Sequence, residues 1–176
     1  MTVAPATHCL TLPGPMLRRG FWLYVWRVVD ATGKEWLYVG RTGDNSSPNA
    51  SDPFTRIARH LGENGAANML RRYLKERGIP LHSCNHHLTF HGPIHPEVER
   101  PDCPDQRKNL RDELMDHHRP LRDEVGAYER DLAAALADAG YSVLNTVNCK
   151  WEGKPERWDE IRAAFAEHFP KLAEVK

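Results

Sequence analysis

The chain has 176 residues, 40% hydrophobic and 27% charged, a composition typical of one globular domain with its own hydrophobic core. Its 24 Lys and Arg balance its 24 Asp and Glu, so the formal net charge is zero. A general excess of positive charge, common among nonspecific nucleic-acid binders, is therefore excluded, and any basic surface must be local. No apolar stretch approaches the ~20 residues of a membrane span and no signal-peptide pattern is present, which predicts a cytoplasmic protein without membrane contacts.

The first half of the sequence predicts a β-hairpin followed by two helices. The two strand segments are dense in aromatic and β-branched side chains and flank a Gly-containing turn, which is typical of paired strands. A polar loop then leads to a helix that opens with a proline, where the missing N–H has no helical partner to lose. In chain order, we predict a flexible arm, two strands and two helices at residues 1–20, 21–29, 35–40, 53–61 and 66–77.

The second half predicts one more strand and mostly helix. Residues 87–94 have the composition of a short third strand, and residues 95–104 form a proline-punctuated loop. A helical pattern then runs over residues 105–138 and is predicted to break at Pro120. Its second half carries one apolar face, formed by Leu121, Val125, Tyr128, Leu132 and Ala135. After it, a short segment (residues 141–145) returns to the core, and residues 155–173 form an amphipathic helix.

These elements predict an α+β fold in which a small central antiparallel sheet, the hairpin plus a third strand, is flanked by helices. We expect one domain over residues 21–150, with residues 151–176 providing a C-terminal helix packed on it. The densest positive charge falls on the second predicted helix. Its residues Arg71, Arg72, Lys75 and Arg77 form either a solvated helix face or a surface that faces nucleic acid.

A few polar side chains fall on separate predicted elements from which they could share a cleft. Tyr38 lies near the end of the second strand. Arg56 and His60 are four residues apart and so project from one face of the following helix. Glu129 lies beside the apolar face of the long helix. A guanidinium, a proton acceptor and a carboxylate are the groups that phosphodiester hydrolysis requires, because the phosphate develops negative charge and a water must lose a proton.

In this order and spacing, the motifs resemble those of the GIY-YIG nuclease superfamily over about residues 21–149. Homing endonucleases, the excinuclease C subunit of nucleotide-excision repair and some restriction enzymes share that domain. The corresponding positions are Tyr38-Val39-Gly40 for the second motif, Arg56 for the family arginine, His60 for the histidine after it, Glu129 for the metal-binding glutamate and Asn145 for the closing asparagine.

The first family motif is altered in this chain. It falls on Tyr24-Val25-Trp26, which puts Trp26 where the family has tyrosine. An indole N–H can donate a hydrogen bond but cannot accept a proton from water. Three interpretations remain open. Tyr24, on the same strand face, supplies the hydroxyl; Tyr38 works alone; or catalysis has been lost.

The resemblance implies a one-metal endonuclease that hydrolyses phosphodiester bonds in DNA. Glu129 would hold Mg²⁺ or Mn²⁺, Arg56 would donate hydrogen bonds to the phosphate, and His60 would assist proton transfer. Tyr38, together with Tyr24, would orient or deprotonate the attacking water. Tyrosine has an ordinary pKa of ~10 and can be a base only where positive charge lowers that pKa. The residues expected to contact the substrate are Arg41, Arg59, Arg71, Arg72 and Asn145.

Two other function classes account for parts of the sequence. One is a catalytically inactive nucleic-acid-binding module of the same fold, in which Trp26 marks lost activity. The other is a structural zinc protein, suggested by a group whose spacing matches no closed zinc site: His82, Cys84, His86, His87, His91, His95 and Cys103. The oligomeric state is open, since one site per monomer needs two events to cut both strands and a dimer is compatible with that requirement.

Overall fold

The computed structural model describes residues 5–62 and 68–174, and at its centre is one three-stranded antiparallel sheet. The strands lie in the order β2–β1–β3, with β1 at Gly20–Val29, β2 at Glu35–Arg41 and β3 at Asn85–Pro96. β1 is buried along nearly its whole length, which suits a central strand covered on both faces. The predicted hairpin is confirmed, and the third strand extends beyond the predicted residues 87–94 at both ends.

Within the described residues, five α-helices flank the sheet, and the predicted α+β fold with a small antiparallel sheet is confirmed. None of these described helices is long and apolar enough to cross a lipid bilayer. Residues 66 and 67, where the second helix was predicted to begin, lie outside the described part of the chain, as do residues 1–4 of the predicted arm. The helices are α1 (Pro53–Leu61), α2 (Met69–Glu76), α3 (Pro104–Asn109), α4 (Arg111–Asp138) and α5 (Pro155–Ala166).

Two predicted helix boundaries are wrong. The expected break at Pro120 does not occur, because α4 runs through that proline and the chain breaks instead at Leu110, between α3 and α4. A proline removes one hydrogen bond from a helix. Here buried side chains on both sides, including Met115 and Val125, hold the two halves in line. The tail helix, predicted to reach residue 173, ends at Ala166 and is followed by a short 3₁₀ turn.

Alternate residues of the hairpin face two separate cores. One core packs β1 and β2 against α4 and α5, through side chains such as Val25, Val39, Leu132 and Phe165. The predicted apolar face of α4 is confirmed there, since Val125, Tyr128 and Leu132 are fully buried. The opposite sheet face packs against α2 through a second set of buried residues: Tyr24, Trp26, Val28, Tyr38, Leu70 and Leu74. Tyr24 and Tyr38 therefore lie on the face that is not covered by α4.

Asn145 binds the outer edge of β2 with both ends of its side-chain amide. Its Oδ1 accepts a hydrogen bond from the backbone N–H of Val39 at 3.0 Å, and its Nδ2 donates to the carbonyl oxygen of Val39 at 2.9 Å. The neighbouring backbone adds two more bonds, from Leu37 N–H to the Ser142 carbonyl and from Leu144 N–H to the Leu37 carbonyl. The returning segment predicted after α4 thus covers part of the free edge of β2 and fixes the strand on which Tyr38 lies.

We expect Asn145→Ala to lower the free energy of unfolding by about 2–3 kcal/mol, because it leaves the N–H and carbonyl of buried Val39 without partners. Asn148→Ala, an exposed asparagine three positions along, is the matched control and should change stability by less than about 0.5 kcal/mol. Urea denaturation of the two variants and the wild type measures both effects. Equal stability of the two variants would contradict the role assigned to Asn145.

Candidate active site

The hydroxyl of Tyr24 is the centre of a buried hydrogen-bonded chain. Its oxygen lies 3.0 Å from Nε of Arg56 and 2.7 Å from Nε2 of His60. A guanidinium can only donate, so Arg56 donates to the Tyr24 oxygen. The phenolic proton then has one partner within reach, the Nε2 lone pair of His60. Tyr24 is 1% exposed and His60 is 3% exposed, so these two buried groups depend on each other for hydrogen bonding.

Helix α1 places Arg56 and His60 side by side because it is fixed at both ends. Asp52 caps its start, accepting from the backbone N–H and the hydroxyl of Thr55, both at 2.8 Å. Asn68, which caps α2, donates from its side-chain amide to the carbonyl oxygen of His60 at the end of α1. The predicted one-face spacing of Arg56 and His60 is thus realised, with both side chains directed at Tyr24.

Three aromatic rings enclose His60. The centroids of Trp26, Tyr38 and Tyr24 lie 5.4, 5.5 and 5.6 Å from its imidazole, each in an edge-to-face arrangement. Burial, reinforced by the positive charge of Arg56, lowers the pKa of His60 to about 4. The imidazole is therefore neutral at pH 7, and a neutral imidazole has a free lone pair with which to accept a proton.

Gly40 of the second motif makes room for the phenol of Tyr24. The two residues are directly paired across β1 and β2. A Cβ on Gly40 would come within 2.6 Å of Cε2 of Tyr24 and even closer to its Cζ and hydroxyl oxygen, inside van der Waals contact. A glycine is needed here for close approach, and no special backbone dihedral is involved.

The structure places a tyrosine hydroxyl where the altered first motif left the question open. Trp26 points to the other side of His60, and its indole N–H donates to Nδ1 of His86 at 3.0 Å. Tyr24 provides the hydroxyl that contacts Arg56 and His60. Of the three interpretations of this motif, the one in which Tyr24 replaces the missing hydroxyl matches the geometry.

Tyr38 lies beside this chain but its hydroxyl is not activated. Its ring is 7% exposed and packs on His60 and, at 6.2 Å, on Tyr73. Burial raises the pKa of Tyr38 and that of Tyr24, and the Arg56 charge offsets only part of the effect. Neither phenol is ionised at neutral pH, so neither can act as a preformed phenolate base. Any proton taken by Tyr24 must be passed on.

Glu129 reaches the site from α4, on the opposite side of the sheet. Its carboxylate is 17% exposed, and Oε2 lies 3.1 Å from Nε of Arg41. Burial raises the pKa of Glu129, against the opposing effects of the Arg41 and Arg56 charges. The Glu129 charge in turn raises the pKa of both Tyr24 and Tyr38, so the carboxylate and the phenols share one electrostatic environment.

Arg41 is paired inside the protein, whereas we predicted contact with the substrate. Besides Glu129, it donates to the carbonyl of Gly43 at 2.8 Å and to the side-chain oxygen of Asn45 at 3.0 Å. The ion pair of Arg41 and Glu129 borders a polar cleft of about 300 Å³ beside α4. The cleft is lined by Arg41, Asn45, Arg122, Asp123, Glu129, Asn148, Cys149, Lys150 and Trp151, among others.

The carboxylate of Glu129 at this cleft is an oxygen ligand of the kind that a magnesium-type cation takes. Within residues 5–62 and 68–174, no three His, Cys, Asp or Glu side chains are grouped as ligands. Mg²⁺ commonly takes one or two carboxylates, keeps several waters and adds substrate phosphate oxygens. Glu129 is one such carboxylate, half-buried at the border of a polar cleft. Any cation there has to compete with the guanidinium of Arg41.

The proposed zinc group is not assembled in the described part of the chain. His86 is engaged on both ring nitrogens, by the Trp26 indole and by the carbonyl of Leu81. His91 packs against the ring of Phe165 instead of facing another ligand. His87 and His91 both lie on β3, and no group of three possible ligands in the described residues includes either of them.

The other predicted substrate contacts are distributed differently. Arg59 on α1 is exposed, with only a 4.0 Å approach to Asp44. On α2, Arg71 is half-buried and donates to the carbonyl of Gly62, whereas Arg72 is exposed and pairs with Glu76. These three arginines lie on the two helices that carry or neighbour Arg56 and His60. Asn145 is separate, since its amide is fully used on β2.

We expect His60 to destabilise the folded protein as the pH falls from 7.5 to 5. Its pKa is about 4 when folded and ~6.5 when unfolded, so between these values the unfolded chain binds a proton that the folded chain does not. The loss should be about 2 kcal/mol at pH 5. It should vanish in His60→Gln, so the difference in unfolding free energy between pH 7.5 and 5 should be smaller in the variant. Identical pH dependence in both proteins would rule out a buried, neutral His60.

Comparison with protein-family models, curated proteins and solved structures found no significant match for this chain.

Proposed function

We propose that this protein is a metal-dependent endonuclease that hydrolyses phosphodiester bonds in DNA. The observation that carries the proposal is the buried chain from Arg56 through Tyr24 to His60, with the Glu129 carboxylate in the same electrostatic environment. Four different elements contribute these groups, since β1 carries Tyr24, β2 carries Tyr38, α1 carries Arg56 and His60, and α4 carries Glu129. A merely structural contact would not require a guanidinium, a phenol and a neutral imidazole in series.

Arg56 is suited to hold the scissile phosphate. Within the described residues, its one side-chain hydrogen bond is from Nε to Tyr24, which leaves the two terminal amino groups for phosphate oxygens. A guanidinium matches two oxygens of a phosphate at once, which a lysine ammonium does not. The same side chain thus links the phosphate to the tyrosine that is to handle the proton of the attacking water.

The proton path follows from the raised pKa of Tyr24 and the lowered pKa of His60. A neutral Tyr24 can accept a proton from water only if its own phenolic proton moves to Nε2 of His60 in the same step. The water's proton ends on Tyr24, the phenolic proton ends on His60, and hydroxide adds to phosphorus. The bond from phosphorus to the leaving oxygen breaks, and that oxygen departs with the electron pair and takes a proton from solvent. A bound phosphate offsets the Arg56 charge that helps to lower the pKa of His60, which makes the imidazole a better acceptor when substrate is present. Tyr38 packs on His60 and helps to orient the water.

Glu129 is the residue that would hold Mg²⁺ or Mn²⁺. Such a cation supplies positive charge to the phosphate and to the leaving oxygen when it is bound. The carboxylate of Glu129 has to be ionised for this role, and the neighbouring Arg41 and Arg56 charges favour that form against burial. Exposed arginines on the adjoining helices, Arg59 and Arg72, support a nucleic-acid substrate on a chain whose net charge is zero.

We expect the wild type to nick supercoiled plasmid in Mg²⁺, and Glu129→Gln to lose at least about 100-fold of that activity because a neutral amide is a poor cation ligand. The matched control is Glu113→Gln, an exposed glutamate on the same helix, which should retain full activity. EDTA should silence both active proteins. If wild type shifts DNA in a gel but never cuts it, the protein is instead a binding module with a nuclease fold. Cleavage that persists in Glu129→Gln would contradict the metal-dependent mechanism.

Tyr24→Phe and Tyr38→Phe should separate the two hydroxyls. Tyr24→Phe removes the link between water and His60, so the rate should fall by at least about 100-fold. The activity that remains should no longer depend on the protonation of His60. Tyr38→Phe should lower the rate by less and keep the wild-type pH profile, because its hydroxyl is outside the chain. Rates from pH 3.5 to 9 on one plasmid substrate, with melting temperatures at each pH to verify folding, test this. A Tyr24→Phe enzyme within twofold of wild type would falsify the proton path.

A further inference from the structure

Trp151 is exposed beside the Glu129 cleft although tryptophan is usually well covered. Its side chain is 45% exposed, and it lines the same cleft of about 300 Å³ as Glu129. On its other side it borders a second cleft of about 560 Å³ that includes Pro120 and Lys154. The indole thus lines two neighbouring depressions beside α4. No element of the proposed cleavage chemistry uses it.

The backbone around Trp151 is fixed to α4, so its exposure is built in. Arg130 Nη1 donates to the carbonyl of Cys149 at 2.9 Å and to that of Trp151 itself at 2.7 Å. On the far side, the N–H of Lys154 donates to the hydroxyl of Tyr128 at 3.0 Å. Gly153 lies so close to Tyr128 that an added Cβ would come within 2.7 Å of its Cδ1. A backbone held in this way loses little conformational entropy when the indole that it carries contacts a ligand.

The charges around the indole differ on its two sides. In the Glu129 cleft, three cationic side chains outnumber two carboxylates, these being Arg41, Arg122 and Lys150 against Asp123 and Glu129. In the second cleft, carboxylates are in the majority, with Asp116, Asp123, Glu124 and Glu152 against Arg119 and Lys154. The ammonium of Lys150 lies 4.7 Å from the indole ring centroid. A polyanion is therefore favoured on the Glu129 side, with its phosphates near the cations and the exposed part of the indole available to something uncharged.

We propose that Trp151 is a stacking platform for one unstacked base of the nucleic-acid substrate, next to the phosphate that is cut. The inference rests on the proposed function, which makes the substrate a nucleic acid, and goes further by naming its class. Both faces of a base inside a regular duplex are covered by its neighbours. A base that stacks on Trp151 must therefore be unpaired, bulged or turned out of the helix. Stacking of a base on an aromatic side chain contributes ~1–3 kcal/mol, or roughly 5- to 150-fold in affinity.

The test is binding in EDTA, where cleavage is not required. Two fluorescein-labelled duplexes of one sequence are compared by anisotropy, one fully paired and one with a single-nucleotide bulge. We expect the wild type to prefer the bulged duplex, and Trp151→Ala to lose about 10-fold of affinity for it with little change for the paired duplex. Trp151→Phe should keep most of the preference because phenylalanine also stacks. Leu110→Ala, which also removes an exposed apolar side chain, should behave as wild type.

A second readout places the base directly. With 2-aminopurine at the bulge, the wild type should quench its fluorescence and Trp151→Ala should not. Equal affinity of wild type and Trp151→Ala for the bulged duplex overturns the platform, as does a wild type that binds neither DNA. Binding that depends on Trp151 in a protein that never nicks DNA with Mg²⁺ supports the platform and overturns the nuclease. If the wild type nicks DNA but its affinity for the bulged duplex does not depend on Trp151, the nuclease is supported and the platform is overturned.

Discussion

The buried hydrogen-bonded chain of Arg56, Tyr24 and His60 is the constraint to which the rest of the site conforms. A phenol and an imidazole removed from water cost free energy unless each finds a partner, and here each is the partner of the next. Their chain requires a glycine at residue 40, because any side chain there would displace the phenol. It also requires a helix held at both ends, which the caps at Asp52 and Asn68 provide. Removal of one link leaves a buried polar group unpaired.

The sequence was sufficient for the elements but not for the contacts between them. Dense aromatic and β-branched residues predicted the hairpin, and the proline at residue 53 predicted the start of α1. The sequence left open whether the hydroxyl of Tyr24 or that of Tyr38 would contact Arg56 and His60, because only the strand register sets Gly40 opposite Tyr24. Arg41 looked like a free basic residue because its pairing with Glu129 is a tertiary contact with no local sequence signal.

Pro120 shows the opposite failure, in which a strong local signal was overridden by packing. A proline inside a helix costs about 3 kcal/mol or more, through one missing hydrogen bond and a clash of its ring with the carbonyl four residues earlier. Burial of Met115, Val125 and their neighbours outweighs that cost, so α4 stays continuous. Glu129 and Arg130, which holds the segment of Trp151, are neighbours in the half of α4 that follows Pro120.

The ion pair of Arg41 with Glu129 gives the site its electrostatic character. Burial raises the pKa of this little-exposed carboxylate, and the charges of Arg41 and Arg56 oppose that rise. The same guanidinium also shields the carboxylate from a metal ion. Arg41 is held by Gly43 and Asn45 in the loop that follows β2, so a change in that loop alters the charge at Glu129 directly. In the proposed nuclease, entry of a phosphate would offer Arg41 a second anion, and this would couple binding of the nucleic acid to binding of the cation at Glu129.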